Sequence, residues 1–281
     1  MKPLTVQALE KIGKDWSKSS SDREARLQHT KDFAQFVADK FGLQNIQNLK
    51  PGHIEAYVKD MKEQGLANGT MCNRMVHVRE LAEAIGKPNI VALENEAYGI
   101  ERGESRSNPI IENQGLVSQV RSEIAARAAA GEPKYIMANA SAELREAFPL
   151  RAKESLMSFK VVEINGIPHL RIEGAKGGRG RDLPINTPAR AAAVATAQAA
   201  SKALKSGTGR IIPPRMSLKQ AYNSQRYTWS KHGGKRADFA NMHASRHNGA
   251  QELHNNGATW GQVMVELGHS EPRSPSAYVP K

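Results

Sequence analysis

Apolar residues recur at helical spacing along most of this 281-residue chain. Between Phe159 and Ile185 the pattern changes, and FKVVEI, PHLRIEG and RGRDLPI alternate or are β-branched. Asn165-Gly166 and Gly177-Gly178 separate these runs and are turn signals, so three short antiparallel strands are predicted. The expected fold class is therefore mainly α, with one small antiparallel β-sheet.

Residues 5–86 read as a helical domain. A first helix carries Val6, Leu9, Ile12 and Trp16. A second opens with a capping box from Ser21 to Glu24, carries Leu27, Phe33, Phe36, Val37 and Phe41, and stops at Gly42. Pro51 starts a third, with Ile54, Tyr57, Val58 and Met61 on one face. A fourth shows Met71, Met75, Val78, Leu81 and Ile85 up to Gly86. Four amphipathic helices with short loops can bury one core. Lys59, Lys62, Arg74, His77 and Arg79 are assigned to the outer faces of the third and fourth helices, suited either to solvent or to a polyanion backbone. Periodicity is lost over residues 87–112, which include IERGESRSNP. The division expected is residues 1–97, a linker over 98–111, and a second domain over 112–281.

Charge separates the two parts. The formal net charge of +12 divides into 14 Lys+Arg against 13 Asp+Glu in residues 1–100 and 26 against 15 in the remainder, so the positive field belongs to the C-terminal part. A basic domain attracts polyanions, nucleic acid foremost. Cys72 is the only cysteine, which excludes an intrachain disulfide and a cysteine-based zinc site and fits a reducing cytoplasm. The N-terminus lacks an apolar targeting core, and no stretch approaches the length of a membrane span.

In the second part, GLVSQVRSEIAARAAAG and KYIMANASAELREAF are alanine-rich helical stretches, followed by PLRAKESL, which places Arg151 just inside a new helix with Glu154 three residues on. The basic GAKGGRGR turn lacks the Gly-Lys-Ser/Thr ending of a phosphate-binding NTPase loop. Its basic residues Lys176, Arg179 and Arg181 suit a polyanion backbone. TPARAAAVATAQAASKALKSG reads as a further helix. Lys219, Arg226, Lys231, Lys235 and Arg236 add cations near the end, while Tyr222, Tyr227 and Trp229 read as packing residues.

The last stretch carries the chemistry. His243 and Arg246 lie one helical turn apart and can reach one anion. Gly257 stops that helix, and Thr259 caps WGQVMVEL, which ends in Leu-Gly-His, so His269 sits just past a helix end. Tyr278 follows nine residues later, after two prolines and three serines. His243, His247 and His254 also fall near one helical face, as metal ligands would, although no Glu adjoins the first and Arg246 stands among them.

This arrangement of His-x-x-Arg, Leu-Gly-His and a late tyrosine resembles the tyrosine recombinase (phage integrase) family. The resemblance implies an integrase-type catalytic domain that clamps DNA together with an N-terminal helical core-binding domain. It implies a catalytic set of Arg151, Lys176, His243, Arg246, His269 and Tyr278. In that set Tyr278 is the nucleophile that forms a 3′-phosphotyrosine, and Arg151 and Arg246 hold the phosphate while His269 donates to it. Lys176 is the acid at the leaving 5′-oxygen and His243 takes the tyrosine proton. It further implies DNA contacts from Lys59, Lys62, Arg74, Arg79, Arg179, Arg181, Lys235 and Arg236. No metal or other cofactor is implied. The partners implied are double-stranded DNA and, on two DNA sites, a homotetramer; the location is cytoplasmic and DNA-associated, without a membrane.

Two features depart from the family pattern. Pro149 stands where glycine usually precedes the Leu-Arg pair. Only three residues follow Tyr278, where family members commonly carry a further helix that docks on a neighbouring protomer. These departures suggest an alternative, a DNA-binding protein of the same fold that does not cleave, and the three histidines suggest a second, a metal-dependent hydrolase.

Overall fold

The computed structural model describes residues 2–101, 110–157, 159–173, 180–207, 209–269 and 278–279. Lys176, Arg179 and the Gly177-Gly178 turn lie outside the described residues. The chain divides into two compact units, Met1–Glu104 and Ser105–Lys281.

The first unit contains α1 (Leu4–Ile12), α2 (Ser20–Phe41), α3 (Pro51–Glu63) and α4 (Asn68–Ala84). Its core is built from Phe33, Val37, Ile54, Tyr57, Met61, Met75 and Leu81, the faces that the periodicity of the last three helices marks out. The first helix is where sequence and structure part. Gly13, at φ 61°, ends α1, and Arg26 closes its end by donating to Ile12 O and Gly13 O, both at 2.8 Å. Trp16 therefore falls in the connection, 73% exposed beside Arg23, and α1 buries Leu4 and Ala8 instead of Val6. The cap of α2 is Ser19, which accepts from Asp22 N at 3.3 Å, in place of the box expected from Ser21 to Glu24. Leu27 and Phe41 lie outside the core, the latter at the edge against Phe36 and His53.

The second unit has α5 (Gln114–Ala129), α6 (Pro133–Ala147), α7 (Ala152–Met157), β1 (Lys160–Ile164), β2 (Ile167–Ile172), β3 (Arg181–Pro184), α8 (Pro188–Leu204), α9 (Leu218–Lys231), α10 (Ala244–Asn255) and α11 (Trp260–Leu267). The sheet is antiparallel in the order β1-β2-β3, with Ile164 opposite Ile167 and Leu170 opposite Leu183. Asn165 and Gly166 both take positive φ, as a tight two-residue hairpin turn requires. One core joins the sheet to α6 and α8 through Leu144, Phe148, Leu156, Leu170, Ile172 and Leu183. Ala193, Ala197 and Ala200 keep α8 slim enough to lie against α6. A second core joins α5, α6 and α9 around Ile124, Tyr135 and Trp229.

Candidate active site

Arg151 is positioned by the end of α6. Pro149 stops the preceding segment, and Arg151 stands immediately before α7, one residue earlier than expected. Glu154 returns from the first turn of α7. Its carboxylate accepts from Arg151 N at 2.8 Å and Arg151 Nη1 at 2.7 Å, so it caps the helix and orients the arginine together. Arg151 keeps 27% of its side chain exposed, whereas Glu154 keeps 4%. Pro149 also accepts from Arg246 Nη1 at 2.6 Å. Gly249 on α10 packs against the Pro149 ring, where a Cβ would come within 3.2 Å.

His243 is the N-cap residue of α10. Asn241 holds it there by accepting from His243 N at 2.8 Å and Ala244 N at 3.2 Å. The loop before it is pinned from behind: Arg145 Nη1 donates to Met242 O at 2.8 Å and Trp229 Nε1 to Ala240 O at 2.7 Å, while the two side chains stack at 4.7 Å.

Arg246, 1% exposed, is the hub. Nη2 donates to Leu267 O at 2.5 Å and to His269 Nε2 at 3.2 Å, and Nε points to Tyr278 OH at 3.4 Å. Burial, partly offset by Tyr278, brings its pKa down to about 10, so it is charged at neutral pH. Since guanidinium only donates, His269 Nε2 is the acceptor and the imidazole proton sits on Nδ1. That Nδ1 is buried and without a hydrogen-bond partner among the described residues. Burial, followed by the charges of Arg246, Arg151 and Arg181, pushes the pKa of His269 down to about 4 and keeps it neutral.

Tyr278 completes the cluster. Its hydroxyl lies 3.5 Å from His243 Nε2, and its ring stacks on His247 at 4.3 Å with 23° between planes. Val279, wholly buried against Ala250, Val263 and Leu267, anchors this segment to α10 and α11. Burial first, then Arg246, Arg151 and Arg236, lowers the pKa of His243, so near neutrality it is a free base beside a phenol.

Five of the six predicted catalytic residues, Arg151, His243, Arg246, His269 and Tyr278, are thus brought together by α7, α10, α11 and the tail. Chemically the cluster sets two guanidinium groups, able to hold one tetrahedral anion, beside a phenol oxygen and neutral imidazoles. A cleft of about 860 Å³ opens from Arg151 and His243 and is lined by Lys153, Arg226, Lys235 and Arg236. Among the described residues no three His, Cys, Asp or Glu side chains gather as a metal ion would need, so His243, His247 and His254 make no ligand set. His247 contacts the tyrosine ring instead, and its spacing of four from His243 was the available signal.

Two family models match, described as phage integrase, N-terminal, over residues 1–91 and integrase over residues 126–252, together more than three quarters of the chain. The chain belongs to the phage integrase family. The integrase match takes in Arg151, His243 and Arg246 and ends before His269 and Tyr278. Among solved structures this integrase-family chain is similar to the XerH site-specific recombinase bound to palindromic difH substrate in a post-cleavage complex. There the TM-score is 0.66 at 15% identity, over 91% of this chain and 75% of that one. It is also similar to a lambda integrase dimer bound to a COC′ core site, with TM-score 0.61, 15% identity, and 94% and 90% of the two chains covered. For the Tn1549 transposon integrase in complex with transposon right end DNA, the TM-score is 0.59 at 14% identity, covering 100% and 96%. These likenesses establish the integrase fold, mostly helical with one small antiparallel sheet. No curated protein sequence matches the chain.

The residues expected on a DNA backbone divide. Lys235 and Arg236 are exposed along the cleft, and Lys59 is 76% exposed beside Glu63. Lys62 donates to Tyr98 O at 2.7 Å. Arg74 and Arg79 are half-buried and do not lie on an outer face: Arg74 donates to Tyr57 OH at 3.2 Å, and Arg79 to Ala92 O and Asn95 Oδ1, both at 2.8 Å. Long basic side chains reach back to local carbonyls that a helical wheel does not show. Arg181 is the clearest correction, because its guanidinium turns inward onto Glu154, with 8% of the side chain exposed.

Proposed function

We propose that this integrase-family chain is a site-specific DNA recombinase that cuts and rejoins double-stranded DNA through Tyr278. The Tyr278 oxygen attacks the scissile phosphorus and the bond to the 5′-oxygen breaks, which leaves a 3′-phosphotyrosine and a free 5′-hydroxyl. His243 Nε2 takes the phenolic proton. Arg151 and Arg246 take the charge that builds on the non-bridging oxygens, and the unpartnered Nδ1–H of His269 is the third donor. Lys176, outside the described residues, gives a proton to the leaving 5′-oxygen. Attack by another strand's 5′-hydroxyl reverses these bonds, so rejoining needs no nucleoside triphosphate.

In this reading residues 1–97 and 112–281 are the two halves of a clamp on DNA, joined by the linker, and four copies act on two sites. The family relationship and the DNA in the related complexes support it. The observation that carries it is the hydroxyl of Tyr278 held within 3.5 Å of both His243 Nε2 and Arg246 Nε, above a guanidinium that is charged and almost wholly buried. The test is a library of nicked duplexes of randomised sequence, in which the cut strand loses its short 5′-hydroxyl fragment and cannot rejoin. Wild-type chain should accumulate covalently on DNA, and Tyr278→Phe should bind but leave no covalent product. Equal accumulation with the Phe variant would remove Tyr278 as nucleophile.

A further inference from the structure

Beside the site stands a cation, Arg181, with 8% of its side chain exposed and no part in the mechanism. Arg181, the first residue of β3, donates from Nη1 to Glu154 Oε1 at 3.2 Å and from Nη2 to Glu154 Oε2 at 3.0 Å, while its Nε donates to Glu266 O at 3.2 Å. The guanidinium lies so close over the Leu-Gly-His turn that a Cβ on Gly268 would come 2.6 Å from Nη1. Arg190 secures the same helix end from the other side, with Nη2 3.0 Å from Glu266 Oε2. The carboxylate that Arg181 grips is the one that orients Arg151, and it stands 4.0 Å from Arg246. One negative charge is therefore shared among three guanidinium groups.

That sharing has an electrostatic consequence. A buried carboxylate paired with Arg151 alone would cancel most of that arginine's attraction for a phosphate, because opposite charges at contact distance present a dipole to the substrate instead of a cation. A second guanidinium on both carboxylate oxygens returns the excess positive charge to the site without presenting itself to solvent. We propose that Arg181 is a positioning residue that acts through Glu154, balancing its charge so that Arg151 is held in place yet remains a net cation for the scissile phosphate. The proposal rests on reading Arg151 as a phosphate ligand. The titration behaviour of Glu154 agrees: burial works against its charge, but hydrogen bonding and attraction from Arg181, then from Arg151, hold its pKa at about 2.

The test is a double-variant cycle in the full chain with Arg181→Gln, Glu154→Gln and both together, read in two ways. One is the rate of covalent capture on nicked duplex. The other, independent of activity, is the affinity for inorganic phosphate in the DNA-free chain, followed through the ring NMR signals of Tyr278 and His269. R181Q should lower both by about tenfold or more where Glu154 is present, and by less than about threefold in the E154Q background. Equal losses in the two backgrounds would overturn the proposal and leave Arg181 as a strand fastener. Arg181→Lys decides the matter if R181Q does not fold. A lysine keeps the charge but cannot bridge Glu154 and Glu266 O as the guanidinium does, so phosphate affinity within about threefold of wild type supports charge balance. Affinity as poor as a neutral residue is expected to give contradicts it. If the wild type captures no DNA, the recombinase reading fails, and the phosphate cycle still judges the pairing of Arg181 with Glu154.

Discussion

Replacing Arg246 with lysine separates the structural and chemical duties of one side chain. The guanidinium satisfies Pro149 O and Leu267 O, binds His269 Nε2 and faces Tyr278 OH, all while 1% exposed. A lysine ammonium reaches less far, carries its donors on one atom and cannot serve carbonyls on opposite sides. At least one buried carbonyl is then left without a donor, at about 1–3 kcal/mol, and a charge-assisted hydrogen bond is lost at about 1.5–3 kcal/mol. Partial replacement by the ammonium puts the net destabilisation at roughly 2–4 kcal/mol, or roughly 5–15 °C in melting temperature for a unit of this size. The charge is retained, but the directed donor to the transition state is not, which costs about 3–4 kcal/mol of barrier, equivalent to about 10²–10³ in rate. Melting followed by circular dichroism and single-turnover covalent capture at saturating DNA read the two effects separately. R246K with wild-type melting would refute the packing argument. R246K that captures DNA within about threefold of wild type would refute the claim that Arg246 is matched to the reacting phosphate.

Three further outcomes follow from the same geometry. Because burial and the neighbouring arginines lower the pKa of His243, the acid limb of the capture rate should fall below the ordinary histidine value of about 6.5, and a limb at pH 7 or above would contradict His243 as the neutral acceptor. The depressed Glu154 pKa means that its contribution to stability is present above about pH 4.5 and is lost as pH falls towards about 2; urea unfolding should therefore show that acid-limb loss in the wild type and a smaller one in Glu154→Gln. Val279→Ala removes two buried methyl groups from the tail anchor, worth about 2 kcal/mol, and should slow covalent capture with DNA affinity unchanged, whereas a slower rate accompanied by weaker DNA binding would point to a different role.

What the sequence showed and hid has a common physical origin. Local chemistry was readable: Asn165-Gly166 makes the hairpin, Thr259 caps α11 with Gln262, and Gly268 ends it at φ 60°. Helical spacing put His243 and Arg246 on one face, whereas the meeting of Arg151 and His269 with Tyr278 was implied by the family resemblance, and the stacking of His247 on Tyr278 was not foreseen. Misreadings arose where a residue answers to something distant or to a break in periodicity. Trp16 fits the helical wheel of α1 only if Gly13 is ignored. Arg181 sits in a basic stretch and reads as a DNA contact until the fold brings Glu154, 27 residues away, to its guanidinium. Arg145 and Trp229, which fix the loop before His243, act through backbone carbonyls that no side-chain pattern reveals.

In the proposed reaction the phenol beside His243 and Arg246 is the group that becomes bonded to DNA. Protease digestion of the covalent product followed by peptide mass spectrometry tests it most directly. A single modified peptide is expected, containing Tyr278 joined through its oxygen to the 3′-phosphate end of the cut strand. Attachment at any other residue, or through the 5′ end, would contradict it.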